Sequence, residues 1–100
     1  MPLSPLAHEV QTILTALGVA GSDLRGDRLV RSPIDGREIG RVRDATEADA
    51  RAAIGRAAGA FLAWRAVPAP RRGELVRRFG ETLRAQKEPL GRLVTIENGK

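Results

Sequence analysis

The sequence predicts a mainly α-helical segment with one short β-hairpin, and three observations lead there. Apolar residues recur at helical spacing in four separate stretches. An Asp-Gly pair, Asp35-Gly36, sits between two short β-prone runs, which is the local chemistry of a hairpin turn. Prolines fall between these stretches or at their starts rather than through them, so that punctuation agrees with the periodicity.

The leading segment, 1–18, opens with Ser4 as an N-cap and Pro5 at the first helical position. Leu6, Val10, Ile13, Leu14 and Leu17 then form one apolar face, and Gly18 supplies a left-handed stop. Val19 to Arg28 is a polar connector and reads as loop. Over 29–43, Leu29–Ser32 and Glu38–Arg43 pair as strands around Pro33-Ile34-Asp35-Gly36-Arg37. Ile39 and Val42 break strict alternation, and Gly40 is the expected position of a bulge. Two strands alone are marginally stable, so the hairpin needs a surface to lie on.

A second helix, 46–64, begins at Thr46, whose partner Asp49 completes a capping box with Asp in place of the commoner Glu. Its apolar row is Ala50, Ile54, Ala57 and Phe61. Gly55 and Gly59 each cost about 1 kcal/mol of helix propensity relative to Ala, so close backbone packing is expected at both. The helix must end before Pro68 and Pro70, because residues preceding proline are pushed out of helical geometry. Trp64, the only tryptophan, stands at that corner and reads as an aromatic plug. A third helix, 70–87, takes Pro70 in its first turn and has Leu75, Val76, Phe79 and Leu83 as its apolar row. Arg71, Arg72, Arg77, Arg78, Arg84 and Lys87 stand on its other face, interspersed with Glu74 and Glu81. Pro89 interrupts the pattern and opens a fourth helix, 89–100, which runs to Asn98-Gly99-Lys100 with no closing element. So many unmatched apolar faces in 100 residues point to part of a larger fold.

One hundred residues make one small domain, able to bury about 60 to 70% of the surface exposed by the unfolded chain. The net charge of +5 is mostly arginine interleaved with acid from Arg25 to Arg92, the pattern of ordinary solvated faces. With no cysteine there is no disulfide framework, thiolate metal site or thiol nucleophile. No apolar run approaches the ~20 residues that cross a bilayer, and neither a signal nor a transit peptide is expected at the start. A cytoplasmic setting is compatible with both.

Chemistry is sparse in these residues. No two glycines are spaced two apart, so the dinucleotide G-x-G-x-x-G fingerprint is absent, and Gly99-Lys100 lacks the first glycine and the hydroxyl residue of a phosphate loop. His8, the one histidine, reads as a surface residue on the first helix. Ser4, Ser22 and Ser32 sit in cap or loop contexts without a triad. Taken alone, Glu97 is an ordinary surface carboxylate. From composition and spacing the alternative to an enzyme segment is a freestanding basic helical module that binds nucleic acid or an acidic protein.

Four stretches read together add to this: Ser-Pro-Ile-Asp-Gly-Arg-Glu-Ile-Gly-Arg-Val from Ser32, Ala-Phe-Leu-Ala-Trp from Ala60, Pro-Ala-Pro-Arg-Arg-Gly-Glu-Leu from Pro68 and Glu-Asn-Gly-Lys from Glu97. In order and spacing they resemble the N-terminal portion of the aldehyde dehydrogenase superfamily, from about Leu29 to Lys100. The wording after Pro68 and the leading helix look most like the branch acting on aminoadipate semialdehyde, the open form of piperideine-6-carboxylate in lysine catabolism. Ser32 departs from the usual Asn before Pro33, and Asp35-Gly36-Arg37 varies the usual turn.

The resemblance implies an α/β parent with a Rossmann-like fold, of whose cofactor-binding domain residues 1–100 are the N-terminal part. It implies NAD or NADP as cofactor, an aldehyde substrate oxidised through a cysteine thioester, and a homo-oligomer, dimer or tetramer, with no role for membrane or nucleic acid. No catalytic or cofactor-binding residue is implied within this segment, which alone is expected to be inactive. One site is implied, for Na+ or K+, with backbone carbonyls at Val30 and Arg31 and the side chain of Glu97.

Overall fold

A computed structural model gives the fold of residues 2–100, apart from the side chains of Ser22 and Asp23. Met1, included above in the leading segment, and the Ser22 hydroxyl lie outside the described residues. In chain order the elements are α1 (Pro5–Ala16), a single 3-10 turn (Gly21–Leu24), β1 (Arg28–Arg31), β2 (Glu38–Val42), α2 (Glu47–Trp64), α3 (Ala69–Ala85) and α4 (Lys87–Asn98). They divide into two compact units, Met1–Asp44 with Gln86–Lys100, and Ala45–Ala85.

The first unit holds the core. Ser4 caps α1 by accepting from Ala7 N at 3.2 Å, with Pro5 in the first turn where no N–H is needed. Gly18 takes φ +80°, and that left-handed step lets Val19 N reach Leu14 O at 3.0 Å. The connector is not wholly irregular, since Gly21–Leu24 forms the 3-10 turn. Gly26 then passes so close to the backbone of Val42 and Arg43 that a Cβ there would overlap both.

The strands are antiparallel and joined at Ser32–Arg37, where Ser32 N donates to Arg37 O at 3.0 Å and Gly36 adopts φ +72°. Val30 is opposite Gly40, and Arg31 is opposite Glu38. The extra residue of the bulge is therefore Ile39, one position before the glycine expected to mark it. The reason is packing: Ile39 is buried in the core that α1 and α4 cover. Val10 and Ile13 from α1, Ile39 from β2 and Ile96 from α4 form that core, flanked by Leu6, Leu14, Leu17, Val30 and Leu93.

In α4, Pro89 does not open the helix; it occupies the first turn of a helix that begins two residues earlier. A proline at that point gives up an N–H that the first turn leaves unbonded in any case, and Leu90 N makes a bond to Gln86 O at 3.0 Å. The end of α4 is also closed, contrary to expectation. Gly99 takes φ +74°, its N–H reaches Thr95 O at 2.7 Å, and Thr95 Oγ1 donates to Lys100 O at 2.7 Å.

The second unit contains α2 and α3. The expected capping box is present, with Thr46 N donating to Asp49 Oδ2 at 2.9 Å and Asp49 N to Thr46 Oγ1 at 3.1 Å. At the start of α3, Pro68 O accepts from Arg71 N and Arg72 N. The two helices do not pack face to face, and neither buries a residue. Trp64 is consequently no plug but 39% exposed, and Ile54 is 69% exposed. Close packing at Gly55 and Gly59 is likewise not found, because a Cβ at either would meet open space. Both expectations rested on a covering surface that this unit does not supply. No helix among the described residues is long and apolar enough to cross a membrane.

Candidate functional site

The residues expected to form a site meet where the hairpin abuts the C-terminal end of α4. A buried hydroxyl makes that junction. Ser32, 1% exposed at the end of β1, donates from Oγ to Ile96 O at 2.6 Å and accepts from Ile34 N at 3.2 Å. Ile96 is 0% exposed, so the carbonyl is held from outside the helix while its side chain is wedged into the core. Pro33 lies beside Gly99, whose Cβ, if present, would stand 3.3 Å from Pro33 Cγ. Two consecutive hairpin residues thus set the position of the last turn of α4.

Beside this junction lies a cavity of about 240 Å³. Val10 and Leu14 from α1, Val30 and Ile39 from the strands and Leu93 from α4 form its apolar wall, with Gln11, Arg41 and Glu97 as polar members. Val30 and Glu97 are therefore brought together. Arg31 is not, as far as its side chain is concerned, because its Nη1 donates to Gly36 O across the hairpin turn at 3.0 Å. Arg41 Nε is paired with Glu38 Oε1 at 2.8 Å.

Carbonyls and one carboxylate are hard oxygen donors, suited to an alkali or alkaline-earth cation rather than to a thiophilic metal. Among the described residues no group of three or more His, Cys, Asp or Glu gathers as a metal site. His8 is exposed on α1. Among the described residues no hydrogen bond joins His8 to a serine hydroxyl. Ser32 is the residue whose part sequence reasoning left open; a serine just before Pro33 was the visible signal, but its partner lies 64 residues away.

A second tie joins α1 to α4. Arg92 donates to Glu9 from Nε at 2.6 Å and from Nη2 at 3.0 Å, a two-pronged contact that keeps the Glu9 carboxyl below its ordinary value. The same hydrogen bonds push the Arg92 guanidinium up. On α3 the charges pair within the helix: Arg77 with Glu74 at 2.8 Å, Arg78 with Glu74 at 3.4 Å and Arg84 with Glu81 at 3.2 Å. The Arg77 hydrogen bond likewise draws Glu74 down.

With this geometry in view, comparison with known proteins gives the class. The pattern of the Aldehyde dehydrogenase family matches residues 21–100. The chain belongs to the aldehyde dehydrogenase family. Its match covers the hairpin, α2, α3 and α4, and with them both ends of the Ser32–Ile96 contact, whereas α1 precedes it. Among curated relatives, the chain is similar to "Alpha-aminoadipic semialdehyde dehydrogenase" of Rattus norvegicus, 46% identical over 68 residues, which is 68% of this chain and 13% of that protein. The protein of the same name from Mus musculus is 44% identical over 68 residues, again 68% and 13%. "Malonate-semialdehyde dehydrogenase 2" of Geobacillus thermodenitrificans is 38% identical over 74 residues, 74% of this chain and 15% of the relative. The chain thus spans between 13% and 15% of the length of these aldehyde dehydrogenases.

Proposed function

We propose that this chain is the N-terminal part of the cofactor-binding domain of an NAD(P)-dependent aldehyde dehydrogenase whose substrate is a semialdehyde, alpha-aminoadipic semialdehyde being the best-supported choice. The observation that carries this is the family match over residues 21–100 together with 46% identity to a dehydrogenase named for that substrate. In such a reaction an aldehyde and water give a carboxylate, and NAD or NADP accepts the hydride. These 100 residues contain no cysteine, so they do not supply the thiol of a thioester step. Their part is architectural: the hairpin and α4 form one packed surface, and α2 and α3 offer apolar rows for a larger sheet-and-helix body. A cytoplasmic homo-oligomer belongs to the same reading.

Putting residues 21–100 in place of the corresponding stretch of the rat dehydrogenase tests it. The expected result is a folded chimaera that still reduces NAD or NADP with alpha-aminoadipic semialdehyde. A chimaera that folds and assembles but shows neither cofactor binding nor turnover overturns the reading. The 100-residue chain by itself is expected to give no turnover.

The reading extends to a Na+ or K+ ion held by the carbonyls of Val30 and Arg31 and the carboxylate of Glu97. Support comes from the shared cavity wall of Val30 and Glu97 and from the adjacent Ser32–Ile96 bond, which restrains the two segments. The donor chemistry fits a hard cation. In crystals soaked with rubidium, absence of an anomalous peak beside Glu97 refutes this part alone.

A further inference from the structure

Ser32 follows Arg31 in the chain, and Ile96 precedes Glu97. The 2.6 Å bond from Ser32 Oγ to Ile96 O therefore crosses from hairpin to helix one residue away from an oxygen donor on each side. Both of its residues are buried. The strand ladder changes register between Val30 and Arg31, so regular backbone bonding is interrupted where the two carbonyls stand. Among the described residues no basic side chain pairs with Glu97; Arg41, which lines the same cavity, is taken by Glu38 at 2.8 Å. A carbonyl fixed from outside its helix also fixes the residue after it, just as an outer layer of hydrogen bonds orients the ligands of a metal.

We propose that Ser32 is the positioning residue of this oxygen site: by holding the Ile96 carbonyl it sets where Glu97 stands relative to the carbonyls of Val30 and Arg31, and so how tightly a monovalent cation is held. The inference rests on the cation reading given above. Ser32 is not itself a ligand, since its hydroxyl donates to Ile96 O and accepts from Ile34 N at 3.2 Å. Asn, the residue usual before this proline in the family that the hairpin resembles, also carries a side-chain donor.

The test reads sodium-23 NMR relaxation of the intact chain titrated with sodium chloride, with choline chloride holding the ionic strength constant. Circular dichroism fixes a temperature at which every variant keeps its helix content. The wild-type chain is expected to give a saturable signal that E97Q abolishes. S32A is expected to weaken sodium binding by about tenfold, and S32N to recover it to within about threefold of wild type. I96V loosens the same junction from the core side while leaving the hydroxyl in place, and is expected to change affinity by less than about threefold. If E97Q is silent and S32A binds as tightly as wild type, this inference is overturned and the cation reading stands. Equal losses in S32A and I96V, which would mark a purely structural role, also overturn it, as does an S32N variant as weak as S32A. A wild-type chain with no saturable signal overturns the cation reading and this inference with it.

Discussion

Ser32 bears the most on the junction of hairpin and α4, because one buried hydroxyl serves two backbone groups, the buried carbonyl of Ile96 and the part-buried N–H of Ile34. Ser32→Ala leaves Ile96 O and Ile34 N without that partner and is expected to lower stability by about 1–3 kcal/mol, read as a shift of the urea midpoint at unchanged slope. Glu9 carries a pH dependence. Its carboxyl is lowered in the folded chain by the Arg92 hydrogen bonds, so the folded state prefers it ionised. That contribution is complete above the ordinary value of 4.5 and is lost as pH falls through the lower folded value. Glu9→Gln is therefore expected to flatten part of the acid limb of the thermal midpoint against pH and to leave the neutral side nearly level. The pair is substantially exposed, so its effect is modest. Neither partner was legible from the sequence: Ile96 stands 64 residues from Ser32, and Arg92 stands 83 residues from Glu9.

Helices, caps and turns were the legible parts. Ser4, Thr46, Asp49, Gly18 and Gly36 each act within a few residues of where they stand, so their chemistry can be read from neighbours alone. Where the reading slipped, a longer-range contact or a fine point of helix termini was responsible. The bulge falls at Ile39 because the core takes that side chain, and Pro89 is accommodated in a first turn rather than marking the helix start. α2 offers a direct measurement. With open space at Gly55 and Gly59, Gly→Ala at each is expected to stabilise the helix by about 1 kcal/mol, visible as increased far-UV dichroism of the 100-residue chain. The same substitutions in a full-length dehydrogenase that covers α2 closely are expected to be neutral or destabilising, so the pair of experiments reports whether the helix face is covered there.

Across the two units the distribution of buried surface is uneven, and this sets how the chain behaves in solution. Hydrogen exchange is expected to be slowest in α1, β2 and α4, which share Val10, Ile13, Ile39 and Ile96, and faster throughout α2 and α3, which bury nothing. A uniform exchange profile would contradict that division.

Membership of the aldehyde dehydrogenase family was readable from four short stretches in order, because a family's wording survives in linear sequence. So were the helix and strand elements, since propensity, caps and turn residues act locally. The core needed the fold. Which residues are buried, what Ser32 and Glu9 touch, and which apolar rows stay open all depend on pairing segments dozens of residues apart. Periodicity shows that a face is apolar, but only the packed chain shows whether anything lies against it.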